Sequence, residues 1–424
     1  MLPPFLHRPL KHAYYALFTA RYRMGQERIL RRIRRQQAPV RVVFFAANLS
    51  MWKYQRLYEA LSAHPRFQVH LVLSPYTYYS REQQEQNLAE LRAHFDALGI
   101  SYIDYDPAAS APFDVRRALQ PDILCYPQPY DHNLCPEHDS TRFYDRLLVY
   151  YPYAFWTATG DWSYNHPFHN VAWRLYYSTV LHRDEARRLC FAGDRNVRVV
   201  GYPDADDYLG RTDWADPWKP QSRPLKRIIW APHFTITAEH GTNRHSNFLW
   251  MAGFMDRLAE KYVDRIQVAF KPHPRLRTEL YRHPDWGKER TDAYYRRWAE
   301  SPNTQFVEGG YRDLFMTSDA MIHDSASFTV EYHYTQKPVF YVQGADNTYY
   351  DHLSAFGRAA IDAHYQGRTP EAIEDFLGSV VLGGADSMQP VRRRFYERYL
   401  LPPGGRTVLE NTLADLYQAL GIHE

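Results

Sequence analysis

The sequence predicts an α/β protein of two Rossmann-like domains, each a mostly parallel sheet with helices on both faces. Three observations carry this. From Arg41 onward, apolar β-prone runs alternate with longer polar-faced segments, and the alternation restarts after a Trp-, Pro- and Asp-rich passage at 204–224. The 424 residues are enough for two cores of ordinary size. In the second half, two buried runs end abruptly in polar groups, as strands do at the ligand-binding edge of an open sheet.

Residues 1–38 stand apart. Leu10 to Ile33 has helical spacing, with Tyr14, Leu17, Phe18, Tyr22, Leu30 and Ile33 as apolar contacts. Arg21, Arg23, Arg28, Arg31, Arg32, Arg34 and Arg35 crowd its second half, against the single acid Glu27. Two readings stay open: a basic amphipathic helix adsorbed on an anionic membrane surface, or a solvated helix packed on the body of the protein.

Residues 39–203 read as the first domain. Strands are expected at Val42–Ala46, Val69–Leu73, Ser101–Tyr105, Asp122–Tyr126 and Leu147–Tyr151, with helices at Trp52–Ala63 and Arg81–Leu98. Asn48-Leu49-Ser50 stands where a dinucleotide enzyme would carry GxGxxG, so NAD binding is not expected. The aromatic passage Pro152–Tyr177 reads as a loop followed by a helix from about His169. Val180-Leu181-His182 and Val197–Val200 resume strand character. The passage 204–224 is the linker.

Residues 225–385 read as the second domain, with strands at Arg227–Trp230, Ile266–Phe270, Gln305–Val307, Asp319–Ile322 and Lys337–Val342. Helices are expected at Ser246–Tyr262, in an insertion reaching Ala299, at Phe328–Tyr334 and at Glu371–Val381. Helices at Val391–Tyr399 and Arg406–Leu420 fill most of 386–424.

A net charge of +3 implies no large basic surface for nucleic acid. Cys125, Cys135 and Cys190 form no CxxC pair, which argues for a reducing compartment and against structural zinc. No apolar run approaches the ~20 residues of a membrane span and no signal peptide is evident, so a cytoplasmic location is expected. The 16% aromatic content, with 35 Tyr, fits Tyr-rich packing or carbohydrate handling.

The chemistry concentrates at two strand ends. Ile266–Phe270 delivers Lys271-Pro272-His273-Pro274, and Asp319–Ile322 delivers His323-Asp324-Ser325-Ala326-Ser327-Phe328. Ser325 and Ser327 stand where a helix begins, so their hydroxyls and the free backbone N–H groups can hold a phosphate. Lys271 and His273 add a cation and a donor to the same rim. Singly, each piece could be an ordinary N-cap or turn. Together they read as a site for the diphosphate of a nucleotide-linked donor. Displacement of that diphosphate also needs a base for the acceptor hydroxyl. Asp161, His166 and His169, in the aromatic first-domain passage, are the candidates.

Trp230-Ala231-Pro232-His233, Lys271-Pro272-His273-Pro274, Asp324-Ser325-Ala326-Ser327-Phe328 with Glu331-Tyr332, and Lys337-Pro338-Val339 together resemble the CDP-glycerol glycerophosphotransferase family, whose members build teichoic-acid-like and capsular polyol-phosphate chains. Gly201-Tyr202-Pro203 with Asp206 is similar to the segment preceding the family's second domain. The resemblance covers roughly Val200 to Val342. It implies a GT-B architecture, two Rossmann-like domains facing a cleft, the first taking the acceptor and the second the donor. It also implies transfer of a polyol phosphate such as glycerol phosphate from a CDP-linked donor to a glycan or lipid-linked acceptor, with no cofactor and no metal. His233, Lys271, His273, Glu308, Gly309, Asp324, Ser325, Ser327 and Glu331 are the donor-binding residues so implied. An enzyme on a lipid-linked acceptor would sit at the inner face of the plasma membrane. The family's Trp-His-Gly-Thr element is absent from the first half of this chain; His240-Gly241-Thr242 lies in the second half and takes no role from it. Two other readings remain: a GT-B glycosyltransferase using a nucleotide sugar, and a non-catalytic saccharide-binding module.

Overall fold

A computed structural model describes residues 4–36, 38–104, 113–237, 246–326, 328–344 and 348–422. The chain divides into two compact units, Met1–Leu209 with Leu400–Glu424, and Gly210–Tyr399.

The first unit is built on seven strands: β1 (Val40–Ala46), β2 (Phe67–Leu73), β3 (Ile103–Asp104), β4 (Ile123–Tyr126), β5 (Leu147–Tyr150), β6 (Arg174–Tyr177) and β7 (Val197–Val199). They lie in the order β3-β2-β1-β4-β5-β6-β7, every pair parallel. The second unit has β8 (Lys226–Ala231), β9 (Ile266–Phe270), β10 (Thr304–Phe306), β11 (Ala320–His323), β12 (Val339–Val342) and β13 (Tyr365–Gly367). Their order, β10-β9-β8-β11-β12-β13, is again wholly parallel. Both sheets are doubly wound, with the winding reversing between β1 and β4 and between β8 and β11. The α/β class expected from the alternation is what the chain adopts.

The central strands are apolar without interruption because helices cover both faces of a parallel sheet. Val42 to Ala46 and all of Ile266–Phe270 are buried. In the second unit Trp230 stacks on Phe248 at 5.7 Å and meets Phe270 and Trp298, a core whose aromatic rings each contribute about 1.5–3 kcal/mol by leaving water. One device pins both sheets at their amino-terminal edge. The Asp122 carboxylate, just before β4, accepts the Arg41 N–H at 3.0 Å, and the Asp319 carboxylate, just before β11, accepts the Arg227 N–H at 2.8 Å.

Several elements differ from expectation. Val180-Leu181-His182 opens a helix, Val180–Leu189, because the Thr179 hydroxyl caps it by accepting the His182 N–H. The aromatic passage holds two short helices, Asp161–Tyr164 and Pro167–Val171, and then strand β6, which its pattern did not signal. The three-residue β13 was likewise not expected.

The last helix, Val408–Leu420, packs within the first unit. The Asp206 carboxylate accepts its first N–H groups, Val408 at 2.8 Å and Leu409 at 3.0 Å, and Thr407 and Glu410 complete a capping box. Gly201, at φ +105°, lies where a Cβ would come within 2.8 Å of Val408, so the chain needs a glycine there. The amino-terminal helix, Pro4–Arg35, buries Ile29, Leu30 and Ile33, and the Gln26 side chain donates to the Val171 carbonyl at 2.7 Å.

Candidate functional site

Strands β9, β8 and β11 lie side by side and end nearly level, with Trp230 paired to both Phe270 and Ile322. Their carboxyl ends therefore present His233, Lys271 with His273, and Asp324 with Ser325 along one edge, at the point where the winding reverses.

Asp324 holds this edge together. It is 1% exposed, and its carboxylate accepts the His233 N–H at 2.6 Å and the Asn247 N–H at 2.5 Å. The end of β11 is thus tied to the turn after β8 and to the start of helix Phe248–Lys261. Burial pushes the Asp324 carboxyl up to about 7, against the N–H donors that favour its charge. The Asn247 side chain in turn donates to the Val342 carbonyl at 3.1 Å, reaching β12.

His233 and His273 meet with ring centroids 5.1 Å apart, and Phe234 lies 4.5 Å from His273. His233 Nδ1 is 3.0 Å from the Thr235 hydroxyl. His273 Nδ1 accepts the Arg275 N–H at 3.2 Å, which fixes the tautomer with the hydrogen on Nε2. Arg275 stacks its guanidinium over Phe234 at 4.2 Å, a further cation beside the rim.

Lys271 is 5% exposed, and among the described residues its amine makes no hydrogen bond or ion pair. Burial pushes its pKa down, while the charge of Glu308, beyond the end of β10, pushes it up. Glu308 and Gly309 are exposed, and Gly309 has φ +80°. Glu331, 3% exposed, accepts the Tyr311 hydroxyl at 2.7 Å and so ties the turn after β10 to the helix Phe328–Glu331. The Ser325 N–H donates to His323 Nδ1 at 3.2 Å, and its carbonyl accepts the Thr329 hydroxyl at 2.8 Å. Ser327 lies outside the described residues, as do residues 240–242.

The first-unit candidates divide differently. Asp161 is exposed at the start of its helix. His166 is half-buried, its Nε2 2.7 Å from the Trp162 carbonyl and its ring edge-on to Tyr130 at 5.0 Å. His169 is fully enclosed; its Nδ1 accepts the His166 N–H at 3.1 Å, and burial pushes its pKa down to about 3. Only His166 and Asp161 have the access that proton transfer with a substrate requires.

Residues 165–362 match the family of CDP-Glycerol:Poly(glycerophosphate) glycerophosphotransferase. The family resemblance holds. With it stands the enzyme class, a transferase. Every donor-rim residue named above falls within the glycerophosphotransferase segment, as do His166 and His169, whereas Asp161 precedes it. Among solved structures the fold is similar to a putative UDP-N-acetylglucosamine 2-epimerase from Listeria monocytogenes, at 14% identity and TM-score 0.59, covering 91% of this chain and 98% of that one. It is also similar to the wall teichoic acid polymerase TagF, at 12% identity and TM-score 0.56, covering 98% and 97%. A UDP-GlcNAc 2-epimerase from Neisseria meningitidis matches at 14% identity and TM-score 0.54, covering 90% and 100%. These likenesses establish the GT-B-like fold. Among curated proteins none matches the chain.

Sequence reasoning missed Asn247, Thr235 and Arg275. Ser246-Asn247 was legible as a helix start, but the Asn247 contacts run to Asp324 and Val342, far away in sequence.

Proposed function

We propose that the protein transfers glycerol phosphate from CDP-glycerol to a hydroxyl of a teichoic-acid-like acceptor. The observation that carries this reading is the glycerophosphotransferase match over the strand-end rim, with the largely buried Lys271 at the end of β9. The acceptor oxygen attacks the glycerol-bearing phosphorus and forms a new phosphodiester. The bond from that phosphorus to the bridging oxygen breaks, its electron pair stays on the cytidine side, and CMP leaves. The acceptor's proton passes to a base, for which His166, with its hydrogen on Nε2 and its lone pair on Nδ1, is the proposed group and Asp161 its alternative. Lys271 and His273 Nε2–H bind the diphosphate and offset the charge that grows on the leaving phosphate. Ser325, Ser327 and the backbone N–H groups at the helix start contribute further donors. His233, Glu308, Gly309, Asp324 and Glu331 shape the rim around them.

A lipid-linked acceptor and a membrane-surface location extend this reading. No helix among the described residues is long and apolar enough to cross a membrane. Along the amino-terminal helix, however, Leu10, Tyr14, Leu17 and Met24 are exposed at helical spacing, and Arg21, Arg28, Arg31 and Arg35 continue the same exposed run. Leu30 and Ile33 face the core instead, and Phe18 packs on Tyr144, so they are not available to lipid. This face suits peripheral adsorption on an anionic bilayer.

Incubation with CDP-glycerol, other CDP-linked polyols and UDP-N-acetylglucosamine, each with a polyol-phosphate acceptor, tests the donor. CMP release with CDP-glycerol alone is the expected outcome. Turnover of the nucleotide sugar with CDP-glycerol inert would overturn the reading.

A further inference from the structure

On the first unit, at the amino-terminal edge of its sheet, lies a cavity of about 580 Å³. Its walls are the amino-terminal helix, the starts of β6 and β7 and the end of the last helix, and five guanidiniums line it: Arg23, Arg34, Arg174, Arg195 and Arg198. Opposing them are two acids, Glu27 and Asp415. The Asp415 carboxylate is already engaged, accepting from Arg174 at 2.6 Å, Arg198 at 2.9 Å and the Tyr176 hydroxyl at 2.8 Å. Arg34 donates to the Ala419 carbonyl at 2.7 Å.

Arg23 and Arg195 differ from these. Both residues are exposed, among the described residues neither guanidinium has a hydrogen bond or ion pair, and burial first, then the charge of Arg195, pushes the Arg23 pKa down. Like charges gathered at one cavity without an anion repel one another, and an anion between them removes that cost. A second observation concerns a neutral group. The Asn196 amide spends its N–H₂ on the His169 and Ala172 carbonyls at 2.9 and 2.7 Å, leaving its buried Oδ1 without a donor. Oδ1 can accept only a hydroxyl or N–H brought by a ligand or water.

We propose that this cavity binds a phosphate ester bearing a free hydroxyl, with Arg23 and Arg195 clamping the phosphate and Asn196 accepting the hydroxyl. Such a group occurs in soluble polyol phosphates and in the headgroup of a glycerol phospholipid. The site needs nothing of the transfer reaction and uses no residue of the donor rim.

Calorimetric titration of the full chain with glycerol 3-phosphate, and co-sedimentation with vesicles of phosphatidylglycerol in phosphatidylcholine, separate the two sources. Arg23→Gln/Arg195→Gln should weaken binding by about tenfold or more, since each removes a charge-assisted contact. Among the described residues neither side chain has a hydrogen-bond or ion-pair partner, so the melting temperature should be held or raised. Lys271→Ala, on the donor rim, should leave binding of either probe as in the parent, and Arg28→Gln, the same charge lost from the same helix outside the cavity, should leave binding of glycerol 3-phosphate as in the parent. Loss with glycerol 3-phosphate assigns a soluble ester; loss only on vesicles assigns the lipid headgroup. Binding of both probes unchanged in the double variant, no binding of either probe by the parent chain, or an equal loss of glycerol 3-phosphate binding in Arg28→Gln, overturns the proposal.

Discussion

Lys271 is 5% exposed, and among the described residues its amine makes no hydrogen bond or ion pair, so its charge is available to an incoming anion. Lys271 is therefore expected to act on the donor rather than on the fold. Lys271→Ala should reduce kcat/KM for the nucleotide donor by about 10- to 150-fold, the equivalent of roughly 1.5–3 kcal/mol for a hydrogen bond to a charged phosphate, with the thermal midpoint held or raised. An unchanged kcat/KM in a folded variant would remove Lys271 from the site. Asp324 should behave in the opposite way. Both its oxygens accept backbone N–H groups, and Asp324→Asn must turn an amide N–H₂ against one of them. The expected cost is about 1–3 kcal/mol of stability in denaturant melts, accompanied by weaker donor binding. A variant as stable as the parent would show that the carboxylate does not hold the rim.

At the scale of elements, the amino-terminal helix offers the sharpest test. Deleting it would open the core at Ile29, Leu30 and Ile33, so substitution on its exposed face is cleaner. Leu17→Ser/Met24→Ser should lower co-sedimentation with anionic vesicles at every salt concentration, while Arg28→Gln should act mainly at low salt, because its contribution of about 1 kcal/mol is screened. Equal binding by all three chains would leave the helix as packing alone. The strands around the donor rim were legible because an uninterrupted buried run such as Ile266–Phe270 has one reading in an α/β alternation. Val180-Leu181-His182 was not, since three residues carry no period and the deciding signal was the Thr179 cap. Lys271, His273 and Asp324 could be found because each follows directly on such a strand. That His169 is sealed in the core, while His166 three residues earlier keeps access, depends on packing that no local pattern records.

Over the whole molecule, the two sheets share one winding order and one pinning carboxylate, Asp122 and Asp319, although no repeat is visible in the sequence: a single side chain bonded to backbone carries the correspondence. Buried histidines mark both units. Burial pushes His138 and His182 down to about 4, His169 and His364 to about 3, and His323 and His333 well below their ordinary value. Each stays neutral in the folded chain but takes a proton in the unfolded chain below about pH 6.5. Their contribution is thus full above that pH and is lost as pH falls, by up to about 1.4 kcal/mol per unit for each histidine. Asp324 has the opposite sign. Folded, it keeps its proton up to about 7, so it subtracts stability as pH rises from about 4 toward 7. Burial also lowers His70 and His94 and raises Asp131, Asp206 and Asp256, so eight histidines against four carboxyls predict a melting temperature that falls between pH 7 and pH 5. A flat or rising profile would mean that the histidines are not held neutral.

The central claim is that the bond broken lies between the two phosphorus centres of the donor, on the glycerol side of the bridging oxygen. Phosphorus NMR of a reaction with CDP-glycerol and a polyol-phosphate acceptor reads this directly. The account predicts that the diphosphate resonances decay while a CMP phosphomonoester and a new phosphodiester appear one for one. Release of intact CDP would place the cleavage at carbon, as in glycosyl transfer, and would contradict it.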